Sequence, residues 1–289
     1  MLKHESIVLY SHEYEREALS ISNRLSLPFD GTVKFCEISS EFIPYAENNT
    51  LIYDNGKMGE FNTIVIIFPL FYENSEEIYR RLSSIERLNG LVLMVSVPDK
   101  RLISKPIYTK LQDIYMKSST IDKTSLLAKA NRYLEILAEN TSFTFIDHSG
   151  SKLHFLRESP IWTDVLNDNK QGVFQIPGGE VFFAIRNYSA NGEIYIGNKK
   201  YMVVNNVLSR DDPHDDNAGL VICEFGLGVN EFVPRCLSLE IAEKSYGTCH
   251  FGFGNNCTFG GMIDEGYHFD VTYGSFSLYS GDKLLIKFE

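Results

Sequence analysis

Residues 247–254 read Gly247-Thr248-Cys249-His250-Phe251-Gly252-Phe253-Gly254, and the alternation in this stretch decides the fold class of the second half of the chain. Successive side chains of a strand point to opposite faces of its sheet. Cys249, Phe251 and Phe253 therefore share an apolar face, while His250, Gly252 and Gly254 share the other. An imidazole flanked by positions without side chains leaves room for an ion or a substrate.

Neighbouring segments carry the same period. In Tyr267-His268-Phe269-Asp270-Val271, His268 and Asp270 fall on one face and the three apolar residues on the other. In Leu220-Val221-Ile222-Cys223-Glu224-Phe225, a single carboxylate interrupts what otherwise reads as a buried strand. An ionised carboxylate buried alone is very costly, so Glu224 requires a cation, a proton or an arginine such as Arg235 or Arg186. Glu180 follows the turn Ile176-Pro177-Gly178-Gly179 and opens the apolar run Val181-Phe182-Phe183-Ala184-Ile185, at the mouth of a strand.

One at a time, these residues have ordinary readings as hydrogen-bonded histidines or strand-end charges. Together, Glu180, Glu224, His250, His268 and Asp270 make the mixed nitrogen and oxygen set that suits zinc, cobalt, manganese or ferrous iron. The expectation is a divalent metal centre.

The segments IPGGEVFFA (176–184), ICEFGLGVN (222–230), EKSYGTCHFGFGNN (243–256) with FGG (259–261), and YHFDV (267–271) resemble, in order and spacing, the signature segments of the aminopeptidase T-like metallopeptidase family. The resemblance covers roughly the C-terminal half. It implies that Glu180, Glu224, His250, His268 and Asp270 hold a two-metal centre, that the activity is removal of N-terminal residues from peptides, and that the assembly is a homodimer. The family's tyrosine shortly after the histidine matching His250 has no counterpart here, where the corresponding place is near Cys257. This chain is also shorter than the classical peptidases. Relatives with other roles include ring-cleaving iron dioxygenases and proteins that bind or act on modified peptides.

At 289 residues the chain has room for two domains. A formal net charge of −11 argues against a nucleic-acid surface, which needs clustered Lys and Arg. The start, Met1-Leu2-Lys3-His4-Glu5-Ser6, lacks the features of a secretory signal, and no run approaches the roughly 18–20 apolar residues of a membrane span. Five cysteines, odd in number and without CxxC spacing, read as free thiols of a reducing compartment. A cytoplasmic protein is expected, with a peptide partner and neither nucleic acid nor membrane.

The first half alternates strand and helix signals. Ile7 to Tyr10, Val33 to Ile38, Leu51 to Tyr53, Thr63 to Phe68 and Leu91 to Val97 read as strands, the last two apolar on both faces as in a parallel sheet. Helices are expected with Ala18, Ile21 and Leu25 on one face, and, after a start at Asn74 or Ser75, with Ile78, Leu82 and Ile85 before a stop at Asn89-Gly90. A longer helix from about Asp122 to Asn140 buries Leu126, Leu127, Ala130, Tyr133, Leu134 and Leu137 and closes the first domain. From Ser142 onward short strands alternate with turns such as Ala190-Asn191-Gly192-Glu193 and Ser280-Gly281-Asp282-Lys283. The fold class expected is an α/β layered domain of the parallel, doubly wound type over residues 1–141, followed by a β-rich α+β domain over 142–289 that carries the site.

Three other features are set aside. The run from Arg210 to Asn217, with His214 among four aspartates, reads as a solvated turn. Gly226, Gly228, Gly252 and Gly254 open no helix after a strand and so make no dinucleotide fingerprint. Cys257 reads poorly as a nucleophile, since His250 is better used as a ligand.

Three functions remain open. In the first, metal-activated water attacks a peptide carbonyl and a carboxylate, Glu180 or Glu243, handles the proton; Glu240, Glu243 and Lys244 otherwise read as an exposed charged edge. In the second, ferrous iron cleaves a dihydroxylated ring, with Glu224 crowding the positions that oxygen needs. In the third, the groove binds or helps modify peptides without turnover.

Overall fold

The structure is a computed structural model that describes residues 6–11, 14–15, 18, 33–38, 45–47, 50–53, 57–59, 61, 63–69, 84–85, 88, 91–97, 105–118, 123–165, 172–209, 216–236 and 240–289. Along the chain the elements begin with β1 (Ser6–Ser11), β2 (Val33–Ile38), β3 (Tyr45–Glu47), β4 (Thr50–Tyr53), β5 (Lys57–Gly59), β6 (Thr63–Pro69), β7 (Leu91–Val97), α1 (Lys105–Ser118) and α2 (Lys123–Ala138). There follow β8 (Ser142–Asp147), β9 (Lys152–Thr163), β10 (Gly172–Ile176), β11 (Glu180–Ile185), β12 (Asn191–Ile196), β13 (Lys199–Val204) and β14 (Val207–Ser209). The last are β15 (Ile222–Gly228), β16 (Cys249–Gly254), β17 (His268–Tyr273), β18 (Phe276–Ser280) and β19 (Lys283–Phe288). The chain divides into two compact units, Met1–Lys123 with Leu166–Gly178, and Thr124–Val165 with Gly179–Glu289.

The first unit holds a parallel five-stranded sheet in the order β10-β7-β6-β1-β2. Its inner strands are apolar at odd and even positions alike, and both faces are buried. Val8, Val65, Ile67, Leu93, Val95 and Ile176 pack on one face with Tyr14 and Ala18. Ile7, Leu9, Ile64, Ile66 and Val92 pack on the other with Leu51, Ile85 and Leu88. Cover on both sides is what a parallel sheet requires. The short antiparallel sheet β3-β4-β5 supplies Leu51 to the second layer. Of the two helices expected here, Ala18 and Ile85 are helical and buried, whereas Ile21, Leu25, Asn74, Ser75, Ile78, Leu82, Asn89 and Gly90 lie outside the described residues. The parallel sheet agrees with the sequence reading; the helices expected to cover it fall largely outside the described residues.

In the second unit eleven strands form a curled antiparallel sheet along β14-β13-β12-β9-β11-β15-β16-β17, extended by β8, β18 and β19. The long strand β9 pairs with β8, β12 and β11, so it bends the sheet between these neighbours. Phe143, Phe145, Phe155, Phe183, Phe225 and Phe251 are fully buried inside the curl. Their rings meet at 5.1–6.3 Å in stacked, tilted and edge-on pairs, the spacing at which aromatic quadrupoles attract.

Helix α2 buries Leu126, Ala130, Tyr133 and Leu137 of the expected stripe, while Leu127 and Leu134 are half-buried, and the helix belongs to the second unit rather than closing the first. The turn expected over residues 190–193 is instead the start of β12: Asn191 and Gly192 pair with His154 and Leu153 of β9. Gly192 takes a φ of +140° and a Cβ there would lie 2.2 Å from the Lys152 carbonyl oxygen, so the glycine serves close backbone approach within a strand rather than a turn. The turn at Ser280-Gly281-Asp282-Lys283 joins β18 to β19 as expected. Arg210, Asp211, Asp212, Pro213, His214 and Asp215 lie outside the described residues. Among the described residues no helix is long and apolar enough to cross a membrane.

Candidate metal centre

Four adjacent strands, β11, β15, β16 and β17, present the site on one face of the second sheet. The register sets Glu180 opposite Gly228, Glu224 opposite Gly252, Gly226 opposite His250, Gly252 opposite Asp270, and Gly254 opposite His268. Each acidic or imidazole side chain thus faces a glycine across the ladder. Directly opposed residues are only about 4.5–5.5 Å apart at Cβ, so a bare partner gives each functional group room to lean over the sheet. A Cβ on Gly252 would stand 2.7 Å from the Glu224 Cβ and 3.0 Å from Asp270 Oδ1. The other face of these strands carries Phe183, Phe225, Phe251 and Tyr273, which anchor it to the core.

Glu224 stands at the centre. Its Oε1 lies 3.3 Å from His250 Nε2 and its Oε2 lies 3.3 Å from His268 Nε2. Glu180 Oε2 is 3.4 Å from His250 Nε2, and Asp270 Oδ1 is 3.6 Å from His268 Nε2. Two ligand sets result, Glu180–Glu224–His250 and Glu224–His268–Asp270, each with its donor atoms within 4.8 Å of one another and Glu224 common to both.

Electrostatics follow from burying this much charge. Burial pushes the Glu180 carboxyl up to about 7 against the pull of Lys244. Burial works against a charged His250, but the Glu224 hydrogen bond and the charges of Asp270 and Glu180 outweigh it and hold the imidazole up at about 10. His268 is likewise held well above the ordinary histidine range, against its own burial, by Asp270 and Glu224. The reciprocal effect holds Asp270 and Glu224 below the usual carboxylate range despite burial. Displaced titrations of this kind gather at functional sites and also in buried ion-pair networks.

Lys244, expected on a charged edge, and Asp164, which no sequence pattern singled out, complete the surroundings. A short 3-10 turn, Glu240–Lys244, lies beside β15 and β17, and Gly228 permits the approach: a Cβ there would stand 2.0 Å from the Ser245 carbonyl oxygen. The Lys244 ammonium, 3% exposed as a residue, bonds to Glu180 Oε1 and lies 3.1 Å from Asp164 Oδ2 and 3.2 Å from Glu243 Oε1. Asp164 Oδ1 in turn accepts the backbone N–H groups of Gly179 and Glu180 at 2.8 and 2.7 Å. This corrects the expectation of an exposed charged edge for Glu243 and Lys244, because three carboxylates make burial of the ammonium favourable. No local pattern in Trp162-Thr163-Asp164-Val165 points to Asp164; only the fold brings it in.

The arginines proposed as partners for Glu224 lie elsewhere. Arg235 donates to the carbonyls of Gly247 and Gly274, and Arg186 pairs with Glu158. Cys257 is exposed and its thiol is raised rather than lowered by its surroundings, the opposite of an activated nucleophile. The buried Cys223 lies closer to the site, 3.9 Å from His268 Nδ1, and burial pushes its thiol up to about 11. None of the five cysteines is in a disulfide.

The donors fit a divalent ion. His268 Nδ1 is within 2.8 Å of the Asn255 carbonyl oxygen, which fixes the tautomer that turns Nε2 toward Glu224 and Asp270. Asp270 Oδ1, buried and without a hydrogen-bond partner, is aimed at the same place. Buried polar atoms are rarely left unsatisfied, and a divalent ion held there would satisfy this one.

No family model and no curated protein sequence matches the chain. Solved structures do. The 2,5-dihydroxypyridine dioxygenase of Pseudomonas putida KT2440 superposes with a TM-score of 0.62 at 12% identity, over 98% of this chain and 90% of that one. AmpT of Thermus thermophilus superposes with a TM-score of 0.55 at 11% identity, over 96% and 90%. At these identities the likeness is one of fold, and the chain shares with both proteins a common architecture along nearly its whole length.

Proposed function

We propose that the protein is a metal-dependent hydrolase that acts on peptides in the manner of the aminopeptidase T-like family. One observation carries the reading: the two oxygens of Glu224 face two imidazoles at equal distance, 3.3 Å each, so one carboxylate would serve both candidate ligand sets. A likeness of fold to AmpT adds support.

Bound divalent ions supply Lewis acidity toward a carbonyl and lower the pKa of water toward neutrality. The chain's own residues do the rest. Glu180, Glu224, His250, His268 and Asp270 would hold the ions. Glu243 belongs to neither ligand set, yet its Oε1 lies 3.2 Å from the Lys244 ammonium. Burial raises its carboxyl well above the usual range, which suits a group that takes a proton from water and returns it to a leaving amine. The remaining acidic character of the site attracts a free N-terminal ammonium.

The test is direct. Protein loaded with zinc, cobalt or manganese is incubated with short peptides bearing free or acetylated N-termini. Cleavage of the free ones only is expected, and no cleavage with any of the three metals overturns the reading.

An aromatic flank favours a second reading. Phe182 meets Phe259 edge-on at 5.4 Å, and Phe259 meets the His268 ring at 6.1 Å, a wall suited to a flat ring. Oxygen uptake by the iron-reconstituted protein with dihydroxylated aromatic rings tests it. The second carboxylate, Glu224, weighs against it by filling positions an open ferrous site keeps free.

A further inference from the structure

The two ion positions have different surroundings. On the side of His268, the imidazole is oriented by the Asn255 carbonyl through Nδ1 at 2.8 Å, and Asp270 offers an oxygen with no competing hydrogen bond. On the side of His250, the imidazole is buried to 1% exposure, and its Nδ1 has no hydrogen-bond partner. There the remaining carboxylate, Glu180, already carries the Lys244 ammonium on Oε1. That ammonium also lies within ion-pair distance of Asp164 Oδ2 and Glu243 Oε1, at 3.1 and 3.2 Å, so it cannot swing away without leaving three buried carboxylates without their counter-charge.

Resting on the reading of this site as a metal centre, we infer that the positions fill in a fixed order: Glu224–His268–Asp270 takes the first ion tightly, and Lys244 serves as a built-in cation that weakens the Glu180–Glu224–His250 position. A ligating histidine whose second nitrogen is hydrogen-bonded binds more strongly than one that is not, and losing such a partner typically costs about 10–100-fold in affinity. A positive charge bonded to a ligand carboxylate also withdraws electron density from it and repels an incoming cation, and it does so in a buried place where screening is weak. Both effects disfavour the same position. Lys244 is a positioning residue, because it acts on the ions through Glu180.

The experiment is a titration of the metal-free protein with cobalt(II) alone, followed by calorimetry and by the visible spectrum of the bound ion. Two steps are expected, the second about 100-fold or more weaker than the first. In Lys244→Met the second step tightens by about tenfold or more while the first is little changed. In Asp270→Asn the tight step vanishes and the weak step persists. If Lys244→Met fails to fold, the wild-type and Asp270→Asn titrations decide. Two steps of equal affinity in the wild type, or a tight step surviving in Asp270→Asn, overturns the order of filling while leaving a metal centre in place. No binding of cobalt by folded protein overturns both this inference and the proposed function.

Discussion

Gly226 of β15 lies directly opposite His250 of β16, and a Cβ on Gly226 would stand 2.2 Å from the imidazole Cε1 and 2.4 Å from Nε2. The ring lies across the space where a side chain would otherwise be. In Gly226→Ala the imidazole must be displaced, at a cost in stability of about 1–3 kcal/mol as for other overpacked interiors. Metal affinity at the Glu180–Glu224–His250 position should fall, and metal analysis after dialysis, alongside thermal melting, will show it. Unchanged metal content together with an unchanged melting temperature would contradict the assignment.

Glu224→Gln keeps the shape of the central side chain and removes its charge. Both ion positions lose their shared ligand, so affinity at each should drop by more than the about 10–100-fold seen for outer partners. The metal-free protein should also be destabilised, by about 3–5 kcal/mol, because the charged His250 and His268 lose their common counter-charge. Denaturant melts of metal-free protein measure the second effect separately from the first.

Glu243→Gln should retain its ions and lose turnover, by about 10²–10⁴-fold in kcat, since Glu243 stands outside both ligand sets. Metal content and peptide hydrolysis measured on the same preparation separate these outcomes. Loss of metal in parallel with activity would place Glu243 among the ligands instead.

Metal uptake should release protons. In the metal-free protein His250 keeps its proton up to about 10 and His268 is held well above the ordinary range, so at neutral pH both imidazoles are charged and an ion must expel a proton to reach each Nε2. The sign is therefore an apparent affinity that rises with pH, by about tenfold per pH unit for each proton displaced, until the folded-state titration is passed. Glu180, whose carboxyl lies at about 7, adds to the slope below that pH. Calorimetric titration in buffers of differing protonation heat counts the protons, and an affinity constant from about pH 6 to 8 would refute the assignment.

Phe251→Ala tests the support behind the site. Phe251 is fully buried, and its ring meets those of Phe145, Phe155 and Phe225 at 5.1–5.5 Å on the face opposite His250. Removing it should cost about 3–5 kcal/mol, read from chemical denaturation, and should loosen metal binding through the strand that carries His250.

Strand identity and facing were legible in the sequence wherever alternation was clean. The apolar strands β6 and β7 announce a parallel sheet because both their faces are hydrophobic, and β16 and β17 announce which residues point to the site because a period of two leaves no choice of face once one face is buried. For the same reason Glu180, Glu224, His250, His268 and Asp270 were identifiable as a group, and the fold brings them together. The glycine-rich segment at 190–193 was less legible, since a glycine that makes a turn and one that admits a neighbouring backbone look alike in one dimension.

What the sequence alone determined was periodicity, and with it the composition of one sheet face. Only the tertiary structure decided the register across four strands, which sets each functional group opposite a glycine and makes Glu224 common to two imidazoles. It alone decided that Lys244, written beside Glu243 as if on a charged edge, is buried among Asp164, Glu180 and Glu243. The physical reason is that a lone buried charge is prohibitive whereas a compensated one is not, and the compensating partners lie 64 residues away at Glu180 and further still at Asp164, beyond the reach of any local pattern.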